Sequence, residues 1–506
     1  MRLRDLCEGG VKVPASLRDL EITSVTCDSR EVKPGALFVA VNGECNDGHA
    51  FVGDAEKAGA VVIIGEKRKA RRTATVAADH GAPSDASKVD IGTSDDLSLR
   101  VPYLRVSDSR AALGLFGSRF YGQAHKSLQI VGVTGTKGKT TTAWILDTIF
   151  RAAGKLSGMF GTVENRVGDE ISVASNTTPS SLELHRHFAR LVDKGGTHAV
   201  LEVSSHGIAQ KRTAGFDLSV GIFTNIAPEH LDYHKTFENY LDTKTQLFRE
   251  LNSSAFAVLP REEAASTYIK GETPAQVVWY GTDASDGVDQ IRMGPDGTTF
   301  RWKGREVTTG LWGVHNLLNV LAAMTAAEAL GLAPTDIIAG VGATHSPPGR
   351  LEEVPHSRDF RVFVDYAHTD GSLDTVLKAV RSVTRGRVIT IFGCGGDRDR
   401  EKRPRMGRVA EQGSDYIVVT SDNPRCEEPN AILDDILGGL ERPDDAVFEP
   451  DRRAAIALAI RMAKRDDTVL IAGKGHETYQ ELANSRIHFD DREVAQEFLT
   501  EQIGVN

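Results

Sequence analysis

The stretch GVTGTKGKTTT, Gly132 to Thr142, sets closely spaced glycines beside lysine and threonine, the combination that a phosphate group demands. Gly135 and Gly138 leave backbone N–H groups open to an anion, and Lys139 has the reach to meet the terminal phosphates of a nucleotide. The hydroxyl of Thr140 or Thr141 can bind magnesium. Strict phosphate-loop spacing needs glycine at position 133; Val133 stands there, and Gly132 comes one residue early.

Two other groups of residues have comparable potential. Glu202 closes the run THAVLE and precedes Ser204, Ser205 and His206. A carboxylate at the end of a parallel strand can hold magnesium that bridges nucleotide phosphates, although a lone strand-end Glu is more often a solvated cap. The following EHLDYHKTFENYLDTKTQLF packs His230, Asp232, His234 and Lys244 into a short span, where structural and ligating roles are both open. Near the C-terminus RVITIF runs into GCGGDRDR, YIVVT into SDNPR, and DTVLIA into GKGHE. Loops that follow parallel strands gather at one sheet edge, so Arg398, Asp422, Asn423, Arg425, Gly473 and Glu477 are expected to meet there. Two guanidiniums and a carboxylate suit a ligand with carboxylates and an ammonium. By position alone, Arg425 after Pro424 is an ordinary solvated turn charge.

The elements needed to hold these residues are legible. Leu128 to Val133 has the pattern of a buried strand, and Ala143, Ile145, Leu146, Ile149, Phe150 and Ala153 fall on one helical stripe ending at Gly154. From about Leu128 onward, β-branched runs alternate with helical patterns, which predicts an α/β fold with parallel sheets. At 506 residues the chain should form roughly three domains. Turn signals near Gln123 and at Pro347-Pro348-Gly349 divide it into 1–123, 124–347 and 348–506. The segment Glu66 to Asp96 has clustered charge and no apolar period, and is expected to be a mobile insertion. Its cations Lys67, Arg68, Lys69, Arg71 and Arg72 lack interleaved aromatic residues and fit a solvated face better than a nucleic-acid patch. A net charge of -10 likewise argues against gripping a nucleic-acid backbone. Five cysteines (Cys7, Cys27, Cys45, Cys394, Cys426) without CxxC spacing indicate neither a disulfide framework nor a zinc site and fit a reducing cytosol. The start, MRLRDLCEGG, has no apolar signal region, and no run approaches the roughly 20 apolar residues of a membrane span. A soluble, cytoplasmic protein is expected.

In this order, GVTGTKGKTTT, EVSSHGIAQKR, EHLDYHKTFENYLDTKTQLF, GVHNLLNVLAA, PPGRLEEV, VDYAHT, FGCGGDRDREKRP, SDNPRCEEP and IAGKGHETYQ resemble the Mur ligases. The resemblance runs from about Asp28 to Asp491 and is closest to the branch that adds the third residue of the peptidoglycan peptide. It implies a three-domain Mur ligase architecture: an N-terminal domain for the uridine nucleotide, a central P-loop ATPase domain, and a C-terminal Rossmann-like domain for the incoming amino acid. The cofactors it implies are ATP, Mg2+ and a carbamate on Lys244. Gly135, Thr136, Lys137, Gly138, Lys139, Thr140 and Thr141 would meet the ATP phosphates, with Asn316, Arg350 and Asp365 as further nucleotide contacts. Ser29, Glu44, Cys45 and Asn46 would lie beside UDP. Asn176, Thr177, Thr178, Ser204, Gln210 and Arg212 would hold the rest of the nucleotide-peptide. Thr140, Glu202, His230 and carbamylated Lys244 would form the magnesium group, and Lys139 would complete the catalytic set. Arg398, Asp422, Asn423, Pro424, Arg425, Gly473 and Glu477 would bind the amino acid. Two departures stand out: Lys137 replaces a common Asn, and Pro228-Glu229-His230 replaces a frequent Arg-Asp-His.

The reaction so implied joins meso-diaminopimelate to UDP-N-acetylmuramoyl-L-alanyl-D-glutamate. A carboxylate is a poor electrophile, so ATP first converts it to an acyl phosphate, which the amine then attacks. Arg425 would hold the distal carboxylate of diaminopimelate bidentately, whereas L-lysine would leave it unpaired. The alternatives are the same ligase using L-lysine, a folylpolyglutamate synthetase, and a non-catalytic scaffold of the same fold. A monomer without nucleic-acid partners is expected.

Overall fold

The computed structural model describes residues 1–8, 11–43, 46–66, 99–483 and 485–500. The insertion expected from Glu66 to Asp96 lies outside them apart from Glu66 itself, as do Glu44 and Cys45. Strands β1 (Ser24–Thr26), β2 (Ala36–Val39), β3 (Ala60–Gly65) and β4 (Tyr103–Arg105) form a parallel sheet in that order. Side chains alternate across a strand, so Leu37, Val39, Val62 and Ile64 pack toward Leu113 and Phe116 while Phe38 and Ile63 pack toward Val52 and Ala55. Both faces are covered, which is why β2 is apolar throughout.

The second sheet contains β5 (Gln129–Thr134), β6 (Ser157–Phe160), β7 (Glu164–Val167), β8 (Glu170–Val173), β9 (His198–Glu202), β10 (Val220–Phe223), β11 (Phe256–Pro260) and β12 (Gln276–Tyr280). Their order is β12-β11-β10-β5-β9-β6-β7-β8. β10, β5, β9 and β6 run parallel, and β7 and β8 add an antiparallel edge. The chain leaves β5 toward β6 on one side, while β10 lies on the other. The loop after β5 therefore opens at a topological switch point, the usual ligand crevice of such sheets.

β13 (Val288–Gly294), β14 (Gly297–Trp302) and β15 (Arg305–Thr309) form a small antiparallel sheet. The last large sheet has β16 (Glu352–Glu353), β17 (Arg361–Asp365), β18 (Val388–Phe392), β19 (Tyr416–Val419), β20 (Ala446–Phe448) and β21 (Thr468–Ala472), in the order β16-β17-β21-β18-β19-β20. All but β16 are parallel. A hairpin of β22 (Tyr479–Leu482) and β23 (Ser485–His488) follows.

Contacts group the chain into two compact units. The first comprises Met1–Thr136, Gly154–Ala257 and Ala264–Val277; the second comprises Lys137–Ala153, Val258–Glu263 and the chain from Val278. The physical reason lies in the helix Lys139–Ala152. It packs so closely on the helix Pro334–Gly342 that a Cβ on Gly340 would meet Ile149 Cα at 2.5 Å. Five of the six residues expected on its apolar stripe are buried, Ala153 at its end being only partly so. Among the described residues no helix is long and apolar enough to cross a membrane.

Candidate functional site

The phosphate loop joins β5 to the helix Lys139–Ala152, as the sequence pattern predicts. Gly135 has φ 145°, and a Cβ there would lie 1.9 Å from Thr224 Oγ1. Gly138 has φ 86°, and a Cβ there would lie 2.3 Å from Asn319 Oδ1. Both positions thus need glycine for conformation and for space. No side chain caps the helix, so its first-turn N–H groups are the natural partners for an anion.

Within the first unit Glu202 is the last residue of β9 and is buried. Its carboxylate accepts from Thr162 N at 2.7 Å and Thr162 Oγ1 at 3.0 Å. Its backbone carbonyl accepts from Thr178 Oγ1 at 2.9 Å, and Thr178 Oγ1 also lies 3.1 Å from Ser204 Oγ. Arg212 donates to Thr178 O at 2.5 Å and to Gln210 Oε1 at 2.8 and 3.0 Å. Thr178, Ser204, Gln210 and Arg212 are therefore linked to one another. Thr177 adjoins them through Thr162 Oγ1 at 3.2 Å, whereas Asn176 is exposed.

Lys244 is 1% exposed on the helix Phe237–Arg249. Its ammonium donates to Gly135 O at 2.9 Å and lies 4.6 Å from the centre of the Tyr240 ring. Tyr240 Oη is 3.1 Å from Thr136 Oγ1, which ties the same helix to the loop. His230 has φ 56° at the start of the helix Leu231–His234, half exposed, with its ring 4.9 Å from that of His206. Burial pushes the neighbouring His234 down to about 4, helped by repulsion from His206, His230 and Lys244. Its buried Nε2 has no hydrogen-bond partner.

Ser29 opens a short 3-10 turn, Ser29–Glu31, whose Asp28 cap accepts from Arg30 N at 2.9 Å. Asn46 is exposed, and its carbonyl accepts from Gly43 N at 2.9 Å.

In the second unit, Lys137 Nζ donates to Thr369 Oγ1 at 3.0 Å. Asn316 is buried, donating to Trp312 O at 3.0 Å and accepting from Asn319 at 3.2 Å. Arg350 lies 4.8 Å over the Tyr366 ring. Asp365 ends β17 and accepts from Leu351 N at 2.7 Å; burial pushes its carboxyl up to about 6 against the opposing pull of Arg350.

The order β21-β18-β19 brings three loops together at the C-terminal ends of their strands. Gly396 N donates to Asn423 O at 2.9 Å, and a Cβ on Gly473 would lie 2.6 Å from Asp422 Oδ2. Asn423 donates to Glu477 Oε2 at 2.9 Å and accepts from Lys474 Nζ at 3.1 Å. Burial raises the Glu477 carboxyl, opposed by Lys474. Pro424 is buried. Arg425 donates through Nε to Glu481 Oε2 at 2.9 Å and through Nη1 to Gly396 O at 2.8 Å. It is therefore neither a solvated turn charge nor unpaired when no ligand carboxylate is near, which corrects the expectation for L-lysine. Arg398 shares the first loop, but its side chain is exposed and donates only to Asp397 O at 3.3 Å.

Sequence reasoning missed Thr162, Asn319, Lys474 and Glu481. Asn319 carried a signal as the second Asn of HNLLN one helical turn after Asn316, and Lys474 as part of GKGHE.

Residues 21–121 match the Mur ligase family catalytic domain, 133–327 the Mur ligase middle domain, and 349–475 the Mur ligase glutamate ligase domain. The chain is 40% identical over 502 residues to the UDP-N-acetylmuramoyl-L-alanyl-D-glutamate--2,6-diaminopimelate ligase of Solibacter usitatus, covering 97% of this chain and 96% of that protein. A solved UDP-N-acetylmuramoyl-L-alanyl-D-glutamate--2,6-diaminopimelate ligase is similar with TM-score 0.69 and 28% identity, over 99% of this chain and 98% of that one. A MurF ligase from Thermotoga maritima in complex with ADP shares the fold with TM-score 0.60 and 21% identity, over 95% and 97%.

Proposed function

This chain belongs to the Mur ligase family, and from that membership we propose that it is the ATP-dependent ligase joining meso-2,6-diaminopimelate to UDP-N-acetylmuramoyl-L-alanyl-D-glutamate in peptidoglycan precursor synthesis. The observation that carries the substrate choice is the cluster of Arg425 with Asp422, Asn423 and Glu477. Arg425, held by Glu481 and Gly396 O, supplies a cation for an extra carboxylate, and the hydrogen-bonded Asn423 and Glu477 of the loops after β19 and β21 supply an amide and a carboxylate for an ammonium. The three-domain division at about 123 and 347, work as a monomer and a cytoplasmic location are part of the same proposal.

ATP binds at the loop from Gly135 to Thr141, with Asn316, Arg350 and Asp365 on the nucleotide. The N–H groups at the start of the helix Lys139–Ala152 and the Lys139 ammonium spread the charge that develops as the γ-phosphoryl group passes to the D-glutamate side-chain carboxylate. Thr178, Ser204, Gln210 and Arg212, with Asn176 and Thr177, hold the nucleotide-peptide, and Ser29, Glu44, Cys45 and Asn46 hold its UDP end. Glu477 and Asp422 orient the incoming ammonium. One of its protons must leave before the amine attacks the acyl phosphate and expels phosphate.

Mg2+ fits the donor chemistry, since it binds through one or two carboxylates with phosphates and waters; Glu202, His230 and the Thr140 hydroxyl would hold it. A carbamate on Lys244 fits the unpartnered, buried Nε2 of His234 in the same cluster. When bound, the metal and the carbamate supply a positive centre that neutralises phosphate charge and an anionic oxygen group that helps organise it.

The test is purified protein with the uridine-linked dipeptide, ATP, magnesium and a panel of amino acids, measuring phosphate release and product mass. Turnover with meso-diaminopimelate well above that with L-lysine is expected. Turnover with L-lysine alone, or none with any amino acid, overturns the reading.

A further inference from the structure

Two residues outside the proposed ligand contacts form a buried pair bonded to the same loops. Arg452, the first residue of the helix Arg452–Met462, and Asp491, the first of Asp491–Thr500, have side chains with no exposure at all. They form a bidentate pair, Arg452 Nε to Asp491 Oδ1 and Nη2 to Oδ2, both at 2.7 Å. The same guanidinium donates through Nη1 to Ser421 O at 3.2 Å and through Nη2 to Ala472 O at 3.0 Å. Those carbonyls directly precede Asp422 and Gly473, at the heads of two of the three loops that make the amino-acid site.

We propose that the Arg452–Asp491 pair is a positioning device for the amino-acid site, holding the loops after β19 and β21 at the spacing that diaminopimelate recognition needs. The proposal rests on the function assigned above and adds residues that touch no substrate. A buried ion pair seldom repays its desolvation in stability, and an apolar pair of similar volume often serves the fold as well. What an apolar pair cannot do is donate to two carbonyls on different strands. Arg452 donates to a carbonyl at the end of each of β19 and β21, which are separated by β18 in the sheet, and so adds to the Asn423–Lys474 and Asn423–Glu477 bonds between the same two loops. Gly473 shows how little slack there is, with no room for a Cβ against Asp422. Asp491 has a second effect: it neutralises Arg452, so the acidity of Asp422 and Glu477 toward an ammonium is not cancelled from below.

Two variants of the full-length protein separate positioning from folding. Arg452→Lys keeps a cation opposite Asp491 but cannot reach both carbonyls. The double variant Arg452→Met, Asp491→Leu removes both charges together. In each, KM for diaminopimelate should rise roughly ten- to a hundredfold, the scale of effect of moving a binding group by about 1 Å. KM for the uridine-linked dipeptide should stay within about twofold, because Thr178, Ser204, Gln210 and Arg212 belong to the first compact unit and make no bond to these loops. Thermal unfolding of the double variant should stay near that of the parent. An unchanged KM for diaminopimelate in the folded double variant or in Arg452→Lys overturns the proposal, and so does a parallel rise in both KM values. If the double variant does not fold, Arg452→Lys alone decides by the same split. Failure of the parent protein to use diaminopimelate would instead overturn the functional reading, before any variant is made.

Discussion

Arg425 and Glu481 form an ion pair across 56 residues of chain, with Nε 2.9 Å from Oε2 and the Arg425 backbone N–H 3.1 Å from Glu481 O. Arg425 adopts φ 52°, an uncommon conformation for a residue other than glycine, and the β22 strand carries its counter-ion. The guanidinium is thus oriented before any ligand arrives. On the proposed reading, discrimination against L-lysine would rest on the attraction of a second carboxylate to a preset cation, rather than on an orphaned charge.

The first prediction follows. Arg425→Ala should lower kcat/KM for meso-diaminopimelate by about 1.5–3 kcal/mol, the worth of a charged hydrogen bond, with little change for L-lysine. Wild-type protein should strongly prefer meso-diaminopimelate. Steady-state kinetics of both proteins with both amino acids checks this; an equal loss for the two substrates would return Arg425 to a structural role.

Lys244→Ala should nearly abolish turnover while leaving the circular-dichroism spectrum unchanged. The lost group is buried against the phosphate loop at Gly135 O. Short-chain carboxylic acids added to the variant should restore part of the activity by standing in for the carbamate oxygens. Near wild-type turnover in the variant removes Lys244 from the mechanism.

Lys139→Ala should stop phosphate release altogether, because it takes a cation from the group being transferred. Acyl phosphate trapped by hydroxylamine should disappear with it. Normal ATP turnover in this variant would refute the assignment of the loop.

Asp365 gives a pH-dependent prediction. Burial lifts its carboxyl in the folded protein to about 6 from 3.8, so the folded state holds the proton more tightly than the unfolded chain does. The stabilisation that this gives is complete below about 3.8 and is lost as pH rises through about 6. Asp365→Asn can still accept from Leu351 N and has no charge to bury. Its stability advantage over wild type should therefore widen by about 1–2 kcal/mol between pH 5 and pH 7. Urea unfolding of both proteins at the two pH values measures it, and a constant difference contradicts the burial argument.

The sequence by itself determined the features that depend on spacing along the chain. The strand, loop and helix around Gly135 were legible because two glycines, a lysine and threonines stand between a β-branched run and a 3.6-period stripe, and β5 and the helix Lys139–Ala152 follow that pattern. The ends of β9, β18, β19 and β21 were legible too, since a parallel strand buried on both faces must be apolar until it reaches solvent. Tertiary structure alone decided which distant groups meet. Lys244 lies 109 residues from the Gly135 carbonyl it binds, Arg452 lies 39 from Asp491, and Glu481 carried no motif that marked it as the partner of Arg425. Packing likewise decided that the helix Lys139–Ala152 joins the second compact unit, since it lies against the helix Pro334–Gly342 far along the chain. Periodicity reports which face of an element is buried, whereas sheet order and close packing choose what that face is buried against.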